Sequence, residues 1–445
     1  MHGRTRLALP AIILIIVILG YYTVMNMKRG EMPKRRVEIL INPSKILGRF
    51  KDWRGVNCGP LSPRGWDKRL SLNLTERYLE IGVKVIRFHD FYPFDELDHI
   101  FPDPKADPSK PESYSFAELD KYMEAAFHVA DAVIFRIGYD WNNPPKNKPH
   151  VSLGKLAEIV KHIVMHYMKG WSKGYNYKSI LWEVWNEPDI EQFWNGTPEQ
   201  YFELYEAVAR AVKEVDPNAM VGGPTLAYKL DFLEQFLNYT RSREVPIDFV
   251  SWHVYATNPR HVIDRAFKVY SIMKRYGYGD LPSVLDEWNY WLEGEPWERF
   301  RGPMVAAFQA SVLIYLQDAP VDLAALYRGD AWTWGGLFNS DGEPGKPFYT
   351  WLAYKQLLDT RRIETNVTGT GISVIAGLSS KGDILLLISN YDGSRAAYTV
   401  KAPGYRLLQV LSIDETHSLE PLDVCDDDTC IIEPYAVHLV TLAKT

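Results

Sequence analysis

From about Trp53 to Trp334 the chain alternates short apolar, β-rich runs with longer stretches of helical spacing. The short runs are WRGVNCG (53–59), VKVIRFH (83–89), AVIFRIG (132–138), ILWEVWNE (180–187), AMVGG (219–223), DFVSWHVY (248–255), PSVLDEWN (282–289) and LYRGDAWTW (326–334). Between them lie FAELDKYMEAAFHVA (116–130), VSLGKLAEIVKHIVMHYMKG (151–170), TPEQYFELYEAVARAVKEV (197–215) and GPMVAAFQASVLIYLQ (302–317). Thr197 followed by Pro198 is a helix start signal. Strands that alternate with helices imply βαβ units and a parallel sheet. Eight such strands over about 300 residues fit a closed (β/α)8 TIM barrel of the α/β class better than an open sheet. A phosphate-binding loop would favour the open sheet, but the turn after the first run, NCGPLSPRG, has no G-x-G-x-x-G or Walker pattern.

The pattern changes after KPFYTWLAYKQLLDT (346–360). GISVIAGLSS, DILLLISNYDGS, AAYTVKAPG, YRLLQVLSID and AVHLVTLAK are short strands with turn signals at close spacing, which predict a small antiparallel β-sandwich. At the other end, residues 7–25 read LALPAIILIIVILGYYTVM without a charge. About 20 apolar residues span a bilayer core, so this run is expected to be a transmembrane helix rather than a cleaved signal segment. The expected organisation is an anchor over 1–30, a linker and strand over 31–48 that could join the sandwich, a barrel over 49–358 and the sandwich over 359–445.

Composition narrows the partners. The net charge of −6 gives no reason to expect nucleic acid, which calls for clustered Lys and Arg. The 14 Trp and 27 Tyr supply flat rings with polar tips that suit the faces and edges of sugars, although a Trp-rich core uses the same residues. Basic residues after the apolar run (Lys28, Arg29, Lys34, Arg35, Arg36) outnumber Arg4 and Arg6 before it, which read literally keeps the large domain inside. Against that stand Cys425 and Cys430 around VCDDDTCI, which suit a hairpin disulfide, and N-x-[ST] sequons at Asn73, Asn195, Asn238 and Asn366. The expectation is a single-pass cell-membrane protein with its catalytic domain outside. Cys58 is the odd cysteine and reads as a buried thiol. The sequence is silent on oligomeric state.

Cleaving a glycosidic bond needs two carboxyls flanking the anomeric carbon. In a barrel, functional groups sit at the C-terminal ends of strands. WEVWNEPD places Glu187 at the end of the fourth run, where Pro188 ends the strand. VLDEWNYW places Glu287 at the end of the seventh, across the mouth. Glu183 and Asp286 are the rivals. Glu183 lies about 13 Å deeper along its strand, and Asp286 points away from Glu287 by the period-two rule. A W-N-E-P motif on strand four with a Glu ending strand seven resembles the clan of retaining barrel glycosidases. WEVWNEPDIEQFWNGTPEQYFELY, VDPNAMVGGP, DFVSWHVYATNP and LDEWNYW, in that order, resemble glycoside hydrolase family 39, the β-xylosidase and α-L-iduronidase family, over about Val83 to Leu357.

The resemblance implies Glu187 as general acid/base and Glu287 as nucleophile. It implies that Asn186 binds the sugar 2-hydroxyl, that His253 and Tyr255 hold the carboxylates, that His89 contacts the glycone, and that Trp334 stacks on the sugar. The implied activity is retaining, exo-leaning hydrolysis of an oligo- or polysaccharide. A catalytically silent carbohydrate-binding protein and a transglycosylase on the same site are the alternatives. No cofactor is expected. No metal is expected either, since H-E-x-x-H and a second cysteine pair are missing and 426–428 lacks EF-hand spacing. The sugar is left open: a uronate would need a cation, and Arg87 or Arg328 could supply one or be structural.

Overall fold

The computed structural model describes residues 33–445 apart from Trp66 and Asp427, and apart from the side chains of residues 68–70. The expected membrane helix at 7–25 lies outside the described residues. Among those that are described, no helix is long and apolar enough to cross a membrane.

Eight parallel strands close into a barrel: β1 (Gly55–Asn57), β2 (Val85–Phe88), β3 (Ala132–Ile137), β4 (Ile180–Val184), β5 (Met220–Leu226), β6 (Phe249–Ala256), β7 (Ser283–Tyr290) and β8 (Leu323–Leu326). Each is followed by a helix that returns the chain, from Thr75–Ile81 after β1 to Lys346–Leu358 after β8. Pro198–Val215 is capped by Thr197, whose hydroxyl accepts from the Gln200 N–H while the Gln200 side chain accepts from the Thr197 N–H.

The eighth strand is displaced from its expected place. DLAALY supplies β8, and the aromatic run 327–334 is loop above it. Alanine has little preference for strands, whereas Trp and Tyr favour them, so the loop imitated the strand. A hairpin of Leu61–Arg64 with Asp67–Asn73 also lies in what reads as a turn.

Alternate residues of each strand face the barrel axis. The floor is an apolar plug of Ile134, Phe249 and Val284 with Val85, Leu181, Met220 and Leu323. Two residues further up the same strands stand Arg87, Arg136, Glu183 and Ser251, all fully buried.

The C-terminal region is one ten-stranded sheet curled over its own core of Ile39, Ile384, Leu386, Tyr398 and Val440, among others. Arg35–Arg49 joins it, pairing antiparallel with Arg361–Thr368 and parallel with Ala396–Lys401, so the sheet is not wholly antiparallel. Cys425 and Cys430 face each other across a hairpin at its edge and form a disulfide. Pro303–Leu316 is buried nearly all round because it lies between barrel and sheet. Ser311 binds Ser373 and Ser389 across that contact at 2.9 and 3.0 Å.

Candidate active site

Glu187 lies three residues beyond the end of β4. Trp185 and Glu187 both hold positive φ, 73° and 41°. Such backbone is costly for residues with a Cβ and persists where surrounding contacts enforce it. Here the Trp185 N–H donates to the Ile137 carbonyl and the Glu187 N–H to the Thr225 carbonyl, tying the turn to the neighbouring strands. The carboxyl thereby turns over the barrel mouth.

Glu287 arrives by a different device. Leu285 pairs with Trp252 and Glu287 with His253, so Asp286 is the extra residue of a β-bulge. The period-two expectation that Asp286 points away from Glu287 fails for this reason. Both carboxylates turn inward, and Asp286 Oδ2 lies 3.1 Å from Arg87 Nε and 3.6 Å from His253 Nε2.

Arg87 is the hub. Its Nε meets Glu183 at 2.6 Å, Nη1 donates to Glu287 Oε1 at 2.7 Å and to Asn57 Oδ1 at 3.1 Å, and Nη2 donates to Asn186 Oδ1 at 2.8 Å. Because arginine only donates, the Asn186 amide is oriented with its NH2 left as donor toward the mouth. The Tyr255 hydroxyl donates to the other oxygen of Glu287 at 2.6 Å. Burial first, then the Glu287 charge, pushes that phenol well above its ordinary value, so it remains a neutral donor.

His253 Nδ1 lies 2.8 Å from Glu187 Oε1 and 3.5 Å from Glu287 Oε2. Burial alone would lower its pKa. The nearby charges of Glu287 and Asp286 and the hydrogen bond to Glu187 overcome burial and raise it well above the ordinary histidine value. As an imidazolium it donates to Oε1, which leaves Oε2 of Glu187 to carry a proton. Glu187 itself is raised, by burial first and then by Glu287 and Asp189, against the lowering effect of His253. One ligand atom of each of Glu187, His253 and Glu287 lies within 4.8 Å of the others. The two carboxyls therefore face one another at short range across the barrel mouth. Glu183, deep in the barrel, is pushed well above its ordinary value by burial and by Asp286 against Arg87.

His89 follows β2, with Nε2 3.7 Å from Glu287 Oε1. Burial, with Arg87, Arg136 and His253, keeps it well below its ordinary value and neutral. Trp334 stands in the loop after β8, its ring 5.5 Å from Tyr255 and 5.1 Å from Tyr327. Asn186, His89, His253, Tyr255 and Trp334 are thus all drawn to the Glu187–Glu287 pair or its immediate neighbours.

Asp90, Asp140, Tyr327 and Asp189 were not singled out from sequence. Asp90 binds the Tyr327 hydroxyl and Arg328, and its N–H donates to Asp140. Asp140, like His89, sits at a strand end, a signal open to reading in GYDW. Tyr327 was hidden by the misplaced eighth strand. Cys58 is buried, with Sγ 2.9 Å from the His89 carbonyl. His89, Asp90 and Asp140 cluster closely enough to hold a cation, but Arg328 and Arg136 already occupy the two carboxylates, which suits polar recognition better than metal binding.

An eight-stranded parallel barrel with two facing carboxyls at its mouth, held from below by a buried arginine, is the arrangement of the glycoside hydrolases. The sequence profile of glycosyl hydrolases family 39 matches residues 37–369, and the chain belongs to that family. It is 27% identical over 421 residues to a β-xylosidase of Caldicellulosiruptor saccharolyticus, covering 81% of this chain and 80% of that protein. It is 30% identical over 223 residues to a β-xylosidase of Geobacillus stearothermophilus, covering 43% of this chain and 42% of that one. The structure resembles a glucosidase from Croceicoccus marinus, with a TM-score of 0.77, 26% identity, 93% of this chain and 100% of that chain.

Proposed function

We propose that the protein is a retaining, exo-acting β-glycosidase that removes a neutral, xylose- or glucose-like sugar from an oligosaccharide. The observation that carries this reading is the Glu187–Glu287 pair, one oxygen of each within 4.8 Å, with Glu187 held toward its protonated form and Glu287 gripped by Arg87 and Tyr255. Glu187 protonates the leaving oxygen while Glu287 attacks the anomeric carbon. Glu287 is then an ester without charge, so Glu187 loses its raising neighbour and takes a proton from water. The relatives' names, β-xylosidase and glucosidase, support neutral sugars.

The two arginines that could have met a uronate are both engaged. Arg87 has the partners above, and Arg328 is buried with Asp330 at 2.7 Å through both Nε and Nη2 and with Asp90 at 3.1 Å. A uronate glycone would add a negative charge beside Asp90, Asp140 and Glu287.

The test is hydrolysis of aryl xyloside, glucoside, galactoside, arabinoside and uronide by the chain from Arg36 onward, with Glu187→Gln and Glu287→Gln alongside. Turnover of a neutral glycoside by wild type alone, with the first-formed anomer retained by NMR, is the expected result. An inverted anomer, a preferred uronide, or an active Glu287→Gln enzyme would each contradict the reading.

Anchoring at the cell surface belongs to the same proposal. It is supported by the apolar run 7–25, the Cys425–Cys430 disulfide and the exposure of Asn73, Asn195, Asn238 and Asn366. Retention in the membrane pellet after alkaline extraction is expected, and release into the supernatant would count against it.

A further inference from the structure

Two exposed aromatic rings flank the segment that follows Glu187. Tyr228, after β5, is 66% exposed, and Trp141, after β3, is 56% exposed. Both residues are more than half exposed, yet their backbones are held. Asp189, buried two residues after Glu187, accepts the N–H groups of Ala227, Tyr228 and Lys229 at 2.8, 2.7 and 2.8 Å. Arg265 donates to the carbonyls of Tyr228 and Ala227 at 2.9 and 3.2 Å. The peptide on either side of Tyr228 is therefore fastened to the stretch of chain that carries Glu187. Partial burial first, then the charges of Glu187, Asp189 and Glu287, raise the Tyr228 hydroxyl above its ordinary value.

Trp141 is fastened in a matching way. Its neighbour Asn142 donates to Glu96 at 2.6 Å and to the Asp140 carbonyl at 2.9 Å. The Asn142 carbonyl accepts from Gln192 at 2.8 Å, again in the segment after Glu187. The Trp141 ring makes a T-shaped contact with Phe193 at 5.6 Å and still leaves more than half of the residue's surface exposed. A rigid backbone that presents a bare aromatic face beside a polar cleft is suited to an apolar sugar face, since the ring stacks and loses little freedom in doing so.

We infer that Tyr228 and Trp141 are stacking platforms for the leaving-group side of the substrate, and that the leaving group is itself a sugar chain. This rests on Glu187 being the acid, because the group that protonates the leaving oxygen stands beside the aglycone. Asp189 is then a positioning residue that ties platform to acid. Tyr228 stands on a loop apart from Arg87, His89 and Asp90, whereas Trp141 follows Asp140 directly and its N–H reaches Asp90 at 3.4 Å, at the border between the two sides of the cleft.

Glycosyl fluorides separate the two readings, because they carry a glycone and no sugar leaving group. The full chain, in detergent, would be assayed on β-xylosyl and β-glucosyl fluoride and on β-1,4-linked xylotriose and cellotriose. Wild type is expected to hydrolyse a fluoride and its matching trisaccharide. Tyr228→Ala and Trp141→Ala are each expected to lower kcat/KM for the trisaccharide about three- to tenfold, mainly through KM, with fluoride turnover held within about twofold. Tyr228→Phe, which keeps the ring, is expected to retain trisaccharide activity. Equal losses on both substrates, no loss on either, or a wild type that uses the fluoride and ignores the trisaccharide would each overturn the inference. A wild type that hydrolyses no fluoride would overturn the glycosidase reading itself, and this inference with it.

Discussion

Arg87→Met deletes the cation at the centre of the barrel and keeps most of the aliphatic stem. The residue is fully buried, and Glu183, Asp286, Glu287, Asn57 and Asn186 all lie within 3.1 Å of its nitrogens. Breaking a buried ion pair by removing one partner costs about 3–5 kcal/mol, because the remaining charge is neither solvated nor compensated. At about 2–3 °C per kcal/mol for a domain of this size, the barrel should melt about 6–15 °C lower. The loss should also depend on pH. Against burial, Arg87 and His253 hold Asp286 well below its ordinary value. A carboxyl depressed in the folded state adds stability above its unfolded pKa and loses it as pH falls. The variant lacks most of that contribution, so its deficit is widest near pH 7 and narrows as pH falls below about 4, where the unfolded chain takes up the same protons. Denaturant unfolding followed by tryptophan fluorescence at pH 7 and at low pH measures both features. Arg87→Met/Asp286→Asn should recover about 1–3 kcal/mol of the single-variant loss. A deficit below about 1 kcal/mol, or one equal at both pH values, would refute the claim that Arg87 neutralises these groups.

Three shorter predictions accompany it. The Glu187 carboxyl should titrate above the ordinary glutamate range and set the alkaline limb of kcat/KM, since activity needs its proton. In Glu287→Gln the like charge is gone, so its NMR-observed titration should move down, and a move upward would contradict the pairing. Tyr255→Phe removes the 2.6 Å hydrogen bond to Glu287. Bonds to charged groups are worth about 1.5–3 kcal/mol, so kcat/KM should fall about 10- to 100-fold, and unchanged kinetics would remove Tyr255 from the site. Cys425→Ser/Cys430→Ser opens a short loop at the sheet edge. It should cost about 2 kcal/mol or less and leave turnover intact, whereas lost turnover would tie that hairpin to the site.

Alternation of strands and helices made the barrel legible, because each β-run and each helix buries a face at its own period. The carboxyl-bearing strand ends were legible because Pro188 and the W-N-E and D-E-W strings punctuate them. Misreadings arose where long-range packing outweighed local preference. LAAL is a strand because it closes the ring between β7 and β1, which nothing in four small residues announces. Arg87 read equally well as a site or a structural residue because its partners come from β1, β4, β7 and the turn after β4, segments separated by up to 230 positions.

Asp286 shows most directly why charge is harder to read than fold. A one-residue bulge brings two consecutive acids into the barrel, where alternation alone would have sent one of them out. Glu183, Glu187, Asp286 and Glu287 then face Arg87 and His253 in a largely buried cluster, a balance that four ionised carboxylates would leave negative. Both Glu183, by burial and Asp286, and Glu187, by burial and Glu287, are pushed toward their protonated forms, which is the direction that lessens this excess. The proton that makes Glu187 an acid is therefore a consequence of the whole cluster, including groups that no substrate touches. In the double displacement proposed above, esterification of Glu287 removes one negative charge from that cluster, and the balance then favours release of the Glu187 proton. Under that proposal, the change from acid to base between the two half-reactions follows from the charge balance of the barrel mouth.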